Sequence, residues 1–419
     1  MSVMRAGQIM DASRSGARGE VSALRFAGTD RTVVFENAEP VAGALSRVLK
    51  LWPAAPAAPR GGGDDIAITG TGRAFSCTAP TLDTPYDGLT SVSAACCAIV
   101  DIARAFLEKH TDMLCLHCAA FEIGGRLVVI AGHARAGKST LAARLAAEPV
   151  ALYCDDMLPI HPASGQGMAL GVPPRLRLPL PASASRPFRD FLAHHAGPAD
   201  TRYAYLDAPR LVPHGRTAPI GAIILLDRRV DGPAGFAAAS RSETLQHLLL
   251  RNLSHERPAA ELAAAMETLM TRTLNLRLFY SDLDEVAALL CDAFRVWPRD
   301  AESLVSGAIP GSPLPLEEND LVERIRPGLD AQRAYRRALG IGVRAIDGEL
   351  FLIDDTQQAV LHLNQLATGV WNLLEDPVSI AEATDILACA FPAMPRQIIG
   401  GDVEALFADL CAHRLIAPV

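Results

Sequence analysis

The run Gly132-His133-Ala134-Arg135-Ala136-Gly137-Lys138-Ser139-Thr140 carries the spacing G-x-x-x-x-G-K-S, in which each residue type has a task at a polyphosphate. Glycines at both ends let the backbone turn tightly and aim its N–H groups at phosphate oxygens. Lys138 has the reach for the β- and γ-phosphates, and the Ser139 hydroxyl suits Mg²⁺. Gly132, Arg135, Ala136, Gly137 and Thr140 complete the set expected to contact a nucleotide. Downstream, VALYC (150–154) runs into Asp155-Asp156. Phosphoryl transfer needs one acid to organise the metal ion and one to take the proton of the attacking hydroxyl, roles that adjacent carboxylates can divide. His117, before the loop, is a further catalytic candidate, although a lone histidine in a strand is more often packed than reactive.

Such a site needs a strand to feed the loop and a helix to leave it. Arg126–Ala131 (RLVVIA) is a β-branched run, and Thr140–Ala147 (TLAARLAA) is a strong helix former. From about residue 114 to 292 strand, loop and helix patterns alternate. Further strands are predicted at VALYC, at PIGAIILL (219–226) and at Leu276–Tyr280, and helices at Ser242–Asn252 and Ala259–Thr273. MLCLHCAAFEI (113–123) reads as one strand. Its Cys115 and Cys118 lack a second Cys or His pair at zinc spacing and read as packed thiols. The pattern predicts an α/β phosphate-loop core with a largely buried sheet.

The division of the chain follows from composition shifts. Residues 1–20 read as a flexible tail and 21–109 as an N-terminal α+β region, broken by an exposed Pro/Ala/Gly loop at Pro53–Gly63. Residues 110–295 form the phosphate-loop domain. Residues 296–322, rich in Pro, Gly, Ser and acid, read as an interdomain linker. Residues 323–419 form a small unit with three strands across Gly342–Leu363 and helices near Gln365–Leu374, Ile380–Ala390 and Val403–His413.

Of 419 residues half are hydrophobic and 21% charged, which supports folded domains, while a net charge of −8 argues against nucleic acid as a partner. No apolar run reaches a membrane-spanning length, and no signal-peptide core is seen, so neither membrane nor export is expected. Nine scattered cysteines suit reduced thiols in a cytoplasmic protein. The oligomeric state is left open, a homo-oligomer included.

Leu116-His117, the glycine loop and Asp155-Asp156, in that order and spacing, resemble the catalytic domain of HPr kinase/phosphorylase and its relatives, whose phosphate-loop core is shared with phosphoenolpyruvate carboxykinases. The resemblance spans roughly 110–290. It implies that Asp155 acts as base toward the acceptor hydroxyl, that Asp156 and Ser139 organise Mg²⁺, and that His117 lies near the transferred phosphate. The chain departs from that family at Thr140, where glutamate is usual, and at Leu170-Gly-Val-Pro-Pro-Arg175-Leu-Arg177, which replaces a glycine-rich signature. HPr as substrate and reverse phosphorylase activity are therefore not implied. Arg175, Arg177 and Arg216, the last in a Pro213-His-Gly-Arg segment, are candidate phosphate or substrate contacts.

The C-terminal unit resembles something else. Phe351-Leu-Ile, Leu361-His-Leu-Asn364, Val370-Trp371, Ile380, Asp402-Val403, Leu406, Leu410 and Leu415-Ile416 look like the PqqD family, a small winged-helix fold. PqqD-like domains recognise precursor peptides of ribosomally made, modified natural products. The resemblance implies that a leader peptide adds a strand along Ala359, Val360 and Leu361 and sets its side chains against Leu406 and Leu410. Together these readings predict a kinase that uses ATP and Mg²⁺ to phosphorylate a Ser or Thr hydroxyl on a precursor peptide. A small-molecule hydroxyl kinase and a non-catalytic nucleotide-gated binding protein are the alternatives.

Overall fold

A computed structural model describes residues 21–419 except 62, 134–135, 255–256, 306, 308–309, 315–328, 355 and 357–358. The expected tail, Arg135 and the end of the expected linker lie outside the described residues. Among the described residues two compact units are formed, one from 21–47 with Pro53–Phe106 and the other from Val48–Trp52 with Leu107–Val419.

In the first unit, six strands lie in the order Ala54–Pro56, Val21–Phe26, Val33–Glu36, Ile66–Thr71, Ala74–Thr78, Tyr86–Leu89. Phe35, Ile66 and Ile68 are buried on alternate positions, as the period-two pattern requires. The Pro53–Gly63 stretch, expected as loop throughout, contributes Ala54–Pro56 as an edge strand against Val21–Phe26. Its proline is tolerable there because an edge leaves an N–H position unused.

The second unit is built around the strand Thr217–Arg228. It runs parallel to Arg126–Gly132 on one side and to Leu274–Tyr280 on the other. Its first residues instead pair antiparallel with Gln166–Met168, which leads on to Met157–His161 and Leu114–His117. Ala119–Ile123 and Ala151–Cys154 extend the sheet beyond Arg126–Gly132. The sheet is therefore mixed, with parallel strands only at its centre. One face packs on the helices Lys138–Leu145 and Leu283–Arg295 through Val128, Ile130, Leu141, Leu145, Leu290 and Phe294. The other packs on Arg241–Leu250 and Ala259–Met270 through Leu127, Val129, Ile223, Leu245, Leu248 and Met266. Burial on both faces accounts for the near-continuous apolar runs.

MLCLHCAAFEI is two strands, not one. Leu114–His117 pairs with Met157–His161, whereas Ala119–Ile123 pairs with Arg126–Gly132 and Ala151–Cys154. Cys118 is where the chain crosses between them. Both halves are apolar, so periodicity alone gives no sign of the crossing.

The segment after residue 295 is not a free linker where it is described. Trp297 packs on Phe294 and its indole N–H donates to the Ile123 carbonyl at 2.8 Å. Val305 and Pro313 bridge to Phe236 and Arg229. Beyond it, Gly342–Ile346, Glu349–Asp354 and Ala359–Leu363 form an antiparallel sheet, followed by helices Gln365–Leu373, Ile380–Ala390 and Arg396–Ala412. The last helix begins seven residues before the expected Val403, because Pro395 starts it ahead of the weakly helical Gly400-Gly401. Leu350, Leu352 and Leu363 face the helical side with Trp371 and Phe407. Ile346 and Phe351 face the other way, into the same core as Leu245, Leu248 and Met266, and Ile353 packs with Ala259 and Ala263. The C-terminal sheet thus has two apolar faces and is docked onto the phosphate-loop core.

Candidate functional site

The strand Arg126–Gly132 ends where Leu226 of its parallel neighbour stands opposite Gly132. A Cβ at Gly132 would sit 3.1 Å from the Leu226 carbonyl, so close strand contact favours glycine there. Gly137 precedes the helix with φ of 91°, a left-handed conformation open to glycine, and a side chain there would strike the Tyr280 hydroxyl. Tyr280 Oη donates to the Ala136 carbonyl at 3.0 Å and pins the loop. Lys138 is nearly buried and its ammonium folds back, donating to the Gly132 and His133 carbonyls at 3.1 Å each. Burial first, then the nearby Arg251 guanidinium, pull its pKa below the ordinary lysine value.

Asp155 and Asp156 follow the strand Ala151–Cys154 and meet different surroundings. Asp155 is 5% exposed and accepts the Arg175 N–H at 3.1 Å and a hydrogen bond from Ser139. Burial and the adjacent Asp156 charge outweigh these bonds and push its pKa up to about 7. Asp156 is more open and pairs with His117 Nε2 at 2.9 Å. Burial opposes its charge, but the His117 hydrogen bond, with Arg175 and Lys138, holds its carboxyl below the usual range. The two acids are thus separated in protonation by their environments, the pattern that assigns acid and base roles in one site.

Lys138, Ser139, Asp155, Asp156, His117 and Arg175 come together, then, from four separate stretches of chain. Arg175 also lays its guanidinium 4.6 Å from the Tyr203 ring centroid. Thr140 lies in the first turn of the loop helix, beside a cavity that Gly137, Arg228 and Tyr280 also line. Arg177 is exposed two residues along the short strand from Arg175. Arg216 is not brought to the loop. It precedes Thr217, at the opposite end of the strand whose Leu226 adjoins Gly132, on the order of 30 Å away along an extended chain.

Sequence reasoning missed Arg251, His133 and His247. Burial pulls down the pKa of Arg251, and its Nε has no hydrogen-bond partner among the described residues. Its carbonyl accepts the His117 N–H at 2.8 Å, so it is tied to the strand Leu114–His117. His133 Nε2 lies 3.3 Å from His247 Nε2. Burial, His247, Arg251 and Lys138, in that order, disfavour a proton on His133. His133 lies within the loop motif itself, and nothing in the local sequence HLLLRNLS marks His247 or Arg251, because only tertiary packing brings helix Arg241–Leu250 to the loop.

The C-terminal unit has its own features. Ala359–Leu363 is an outer strand, paired among the described residues only with Glu349–Asp354. Of the residues expected to meet a leader peptide, Ala359 and Leu361 are half-buried on this strand, and Leu406 lines a groove of about 360 Å³ with Asn364, Leu366, Val370 and Asp402. Val360 instead packs toward Ala259 and Ala263 of the phosphate-loop core. Leu410 is fully buried in the helical core and offers no surface to a peptide.

Comparisons with known proteins follow these two sites. The sequence profile of the family described as Coenzyme PQQ synthesis protein D (PqqD) matches residues 349–416. Among solved structures, the Hpr(Ser) kinase/phosphatase from Coxiella burnetii is similar, at 12% identity and a TM-score of 0.20, over 42% of this chain and 91% of that one. A likeness of that strength carries no argument by itself. The search of curated proteins found no match.

Proposed function

We propose that this chain is an ATP- and Mg²⁺-dependent kinase that phosphorylates a Ser or Thr hydroxyl on a precursor peptide recruited by its C-terminal, winged-helix-like PqqD unit. The observation that carries the reading is the pair Asp155–Asp156 beside Lys138 and Ser139. A buried carboxyl near neutrality, next to a charged one bonded to His117, supports a base and an electrostatic partner in one site. Asp155 takes the proton of the attacking hydroxyl. Lys138 leaves the loop carbonyls for the β/γ-phosphate oxygens, and Arg175 and Arg251 add positive charge beside them.

Ser139 and Asp156 are hard oxygen donors, and Mg²⁺ usually takes one or two protein oxygens with the rest from phosphates and water, so the donor set fits. When bound, the ion neutralises charge developing on the phosphate oxygens. The PqqD match at 349–416 supports a peptide rather than a small molecule as acceptor.

The test is to incubate the intact chain with ATP, Mg²⁺ and the short peptides encoded beside its gene, and to follow peptide mass. Gain of one phosphate that disappears with Lys138→Ala is expected. Phosphorylation of a free amino acid or sugar, with peptides untouched, would replace this reading by a small-molecule kinase.

A further inference from the structure

Between the C-terminal sheet and the phosphate-loop core lies a cavity of about 470 Å³. One wall is the outer strand itself, through Val360, Leu361 and His362, with Phe351 behind it. The other is the end of helix Arg241–Leu250 and the turn after it, through Gln246, Leu249, Leu250, Asn252 and Arg257. That turn pairs with the strand carrying His117. Asn252 bridges Leu116, Leu253 N–H donates to the Cys115 carbonyl at 2.8 Å, and His117 N–H donates to the Arg251 carbonyl. Asn252 lines the cavity, whereas its neighbour Arg251 acts electrostatically on Lys138. One short segment therefore has the cavity on one side and the phosphate loop on the other.

We propose that this cavity is the subsite for the stretch of precursor peptide between the leader and the acceptor hydroxyl, a proposal that rests on the kinase reading above. The occupant is an extended peptide with an apolar side chain seated against Leu249, Leu262 and Val360 and backbone groups facing Gln246 and Asn252. Continuity argues for it. A chain added along Ala359–Leu363 enters the cavity at the same strand, and the opposite wall is hydrogen-bonded to the strand that ends in His117 beside Asp156. Leu250, at the cavity, is 64% exposed, and the cavity is open there. The docked sheet fixes the path, so substrate reach is set by this passage and not by a loose tether.

The probe is a displayed library of random serine-containing peptides, offered to the intact chain with ATPγS and Mg²⁺ and captured by thiophosphate. Peptides so selected are then compared on variants. Leu250→Lys on the rim and Gln246→Trp, which fills the cavity, are expected to lower kcat/KM for those peptides by roughly tenfold or more, the effect of losing one apolar contact in a pocket. Their basal ATP hydrolysis and KM for ATP should stay unchanged. Selected peptides phosphorylated equally well by both variants would overturn the subsite and leave the kinase reading standing. Hydrolysis of ATP by the intact chain with no peptide ever labelled would overturn the peptide reading and the subsite with it.

Discussion

Around the phosphate loop, Lys138 and Asp155 are buried and Arg251 is partly so, each in a protonation state that its surroundings resist. In the sheet Gly342–Leu363, the buried residues are Ile346, Leu350, Phe351, Leu352, Ile353, Asp354 and Leu363, nearly all apolar. In the first region the buried positive charge of Lys138 and Arg251 is unfavourable, and a polyphosphate would relieve it. The second is held by apolar burial on both faces. A substitution at the loop should therefore remove activity while easing the fold, and one in the sheet should weaken the fold while leaving the chemistry groups in place.

The largest effect is expected at Asp155. Asp155→Asn should lower kcat by roughly 10²–10⁴-fold with little change in ATP affinity, since a base acts in the transition state. Wild-type turnover should rise as pH passes upward through about 7, as Asp155 deprotonates. The sign for stability is opposite. The folded carboxyl binds its proton more tightly than its ordinary value of 3.8, so stability present at low pH is lost as pH rises through about 7. Asp155→Asn should thus melt higher than wild type, by a margin that widens across that range. A variant that loses ATP binding and melts lower would break the contrast.

Next comes Phe351→Ala, which empties a fully buried position between sheet and core and should cost about 3–5 kcal/mol. Denaturant unfolding checks this. Removing residues 323–419 outright would strip Leu245, Leu248 and Met266 of their cover, so it is expected to give an unstable core and not a clean rise in KM. A truncated chain as stable as the whole would mean the two regions are separable after all.

Ser379→Ala removes the capping box at helix Ile380–Ala390, where Ser379 Oγ accepts the Glu382 N–H and the Glu382 carboxylate accepts from the Ser379 N–H. A loss of about 1 kcal/mol in unfolding free energy is expected, without change in ATP turnover. The smallest effect is at Asp347, whose exposed carboxylate accepts the N–H groups of Arg241 and Ser242 at 2.7 and 3.2 Å. Asp347→Ala should cost about 0.5 kcal/mol. It should also change local exchange of the Arg241–Leu250 amides more than those of the C-terminal helices.

The loop and Asp155-Asp156 were legible because their chemistry is local: glycine, lysine, hydroxyl and acid at fixed offsets. The C-terminal hairpins were legible for a similar reason. Asp347-Gly348 sits between alternating runs, and both residues adopt the positive φ that a two-residue turn demands, at 52° and 81°. What stayed hidden depends on long-range packing. Cys118 gives no local sign of the crossing between strands. The last helix was started late because its first turns contain Gly400-Gly401. Arg251 carries no motif, and the second apolar face of the sheet reads as ordinary core until Leu245 and Met266 are seen against it. The reading of Arg216 rested on a loose local likeness, which did not show which end of its strand it occupied.

Asp347 belongs to two structures at once. Its backbone makes the turn that sets the register of one sheet hairpin, and its side chain closes the start of the helix whose far end reaches His133 of the phosphate loop. In evolutionary terms, a residue with both duties ties the sheet to the core so that neither changes alone. Recombination that carried the sheet into another chain would bring a turn whose acid has no helix to cap, and the donor would be left with a helix start open to water. The joint between the sheet and the core is therefore transmitted as a single trait, narrower than either part.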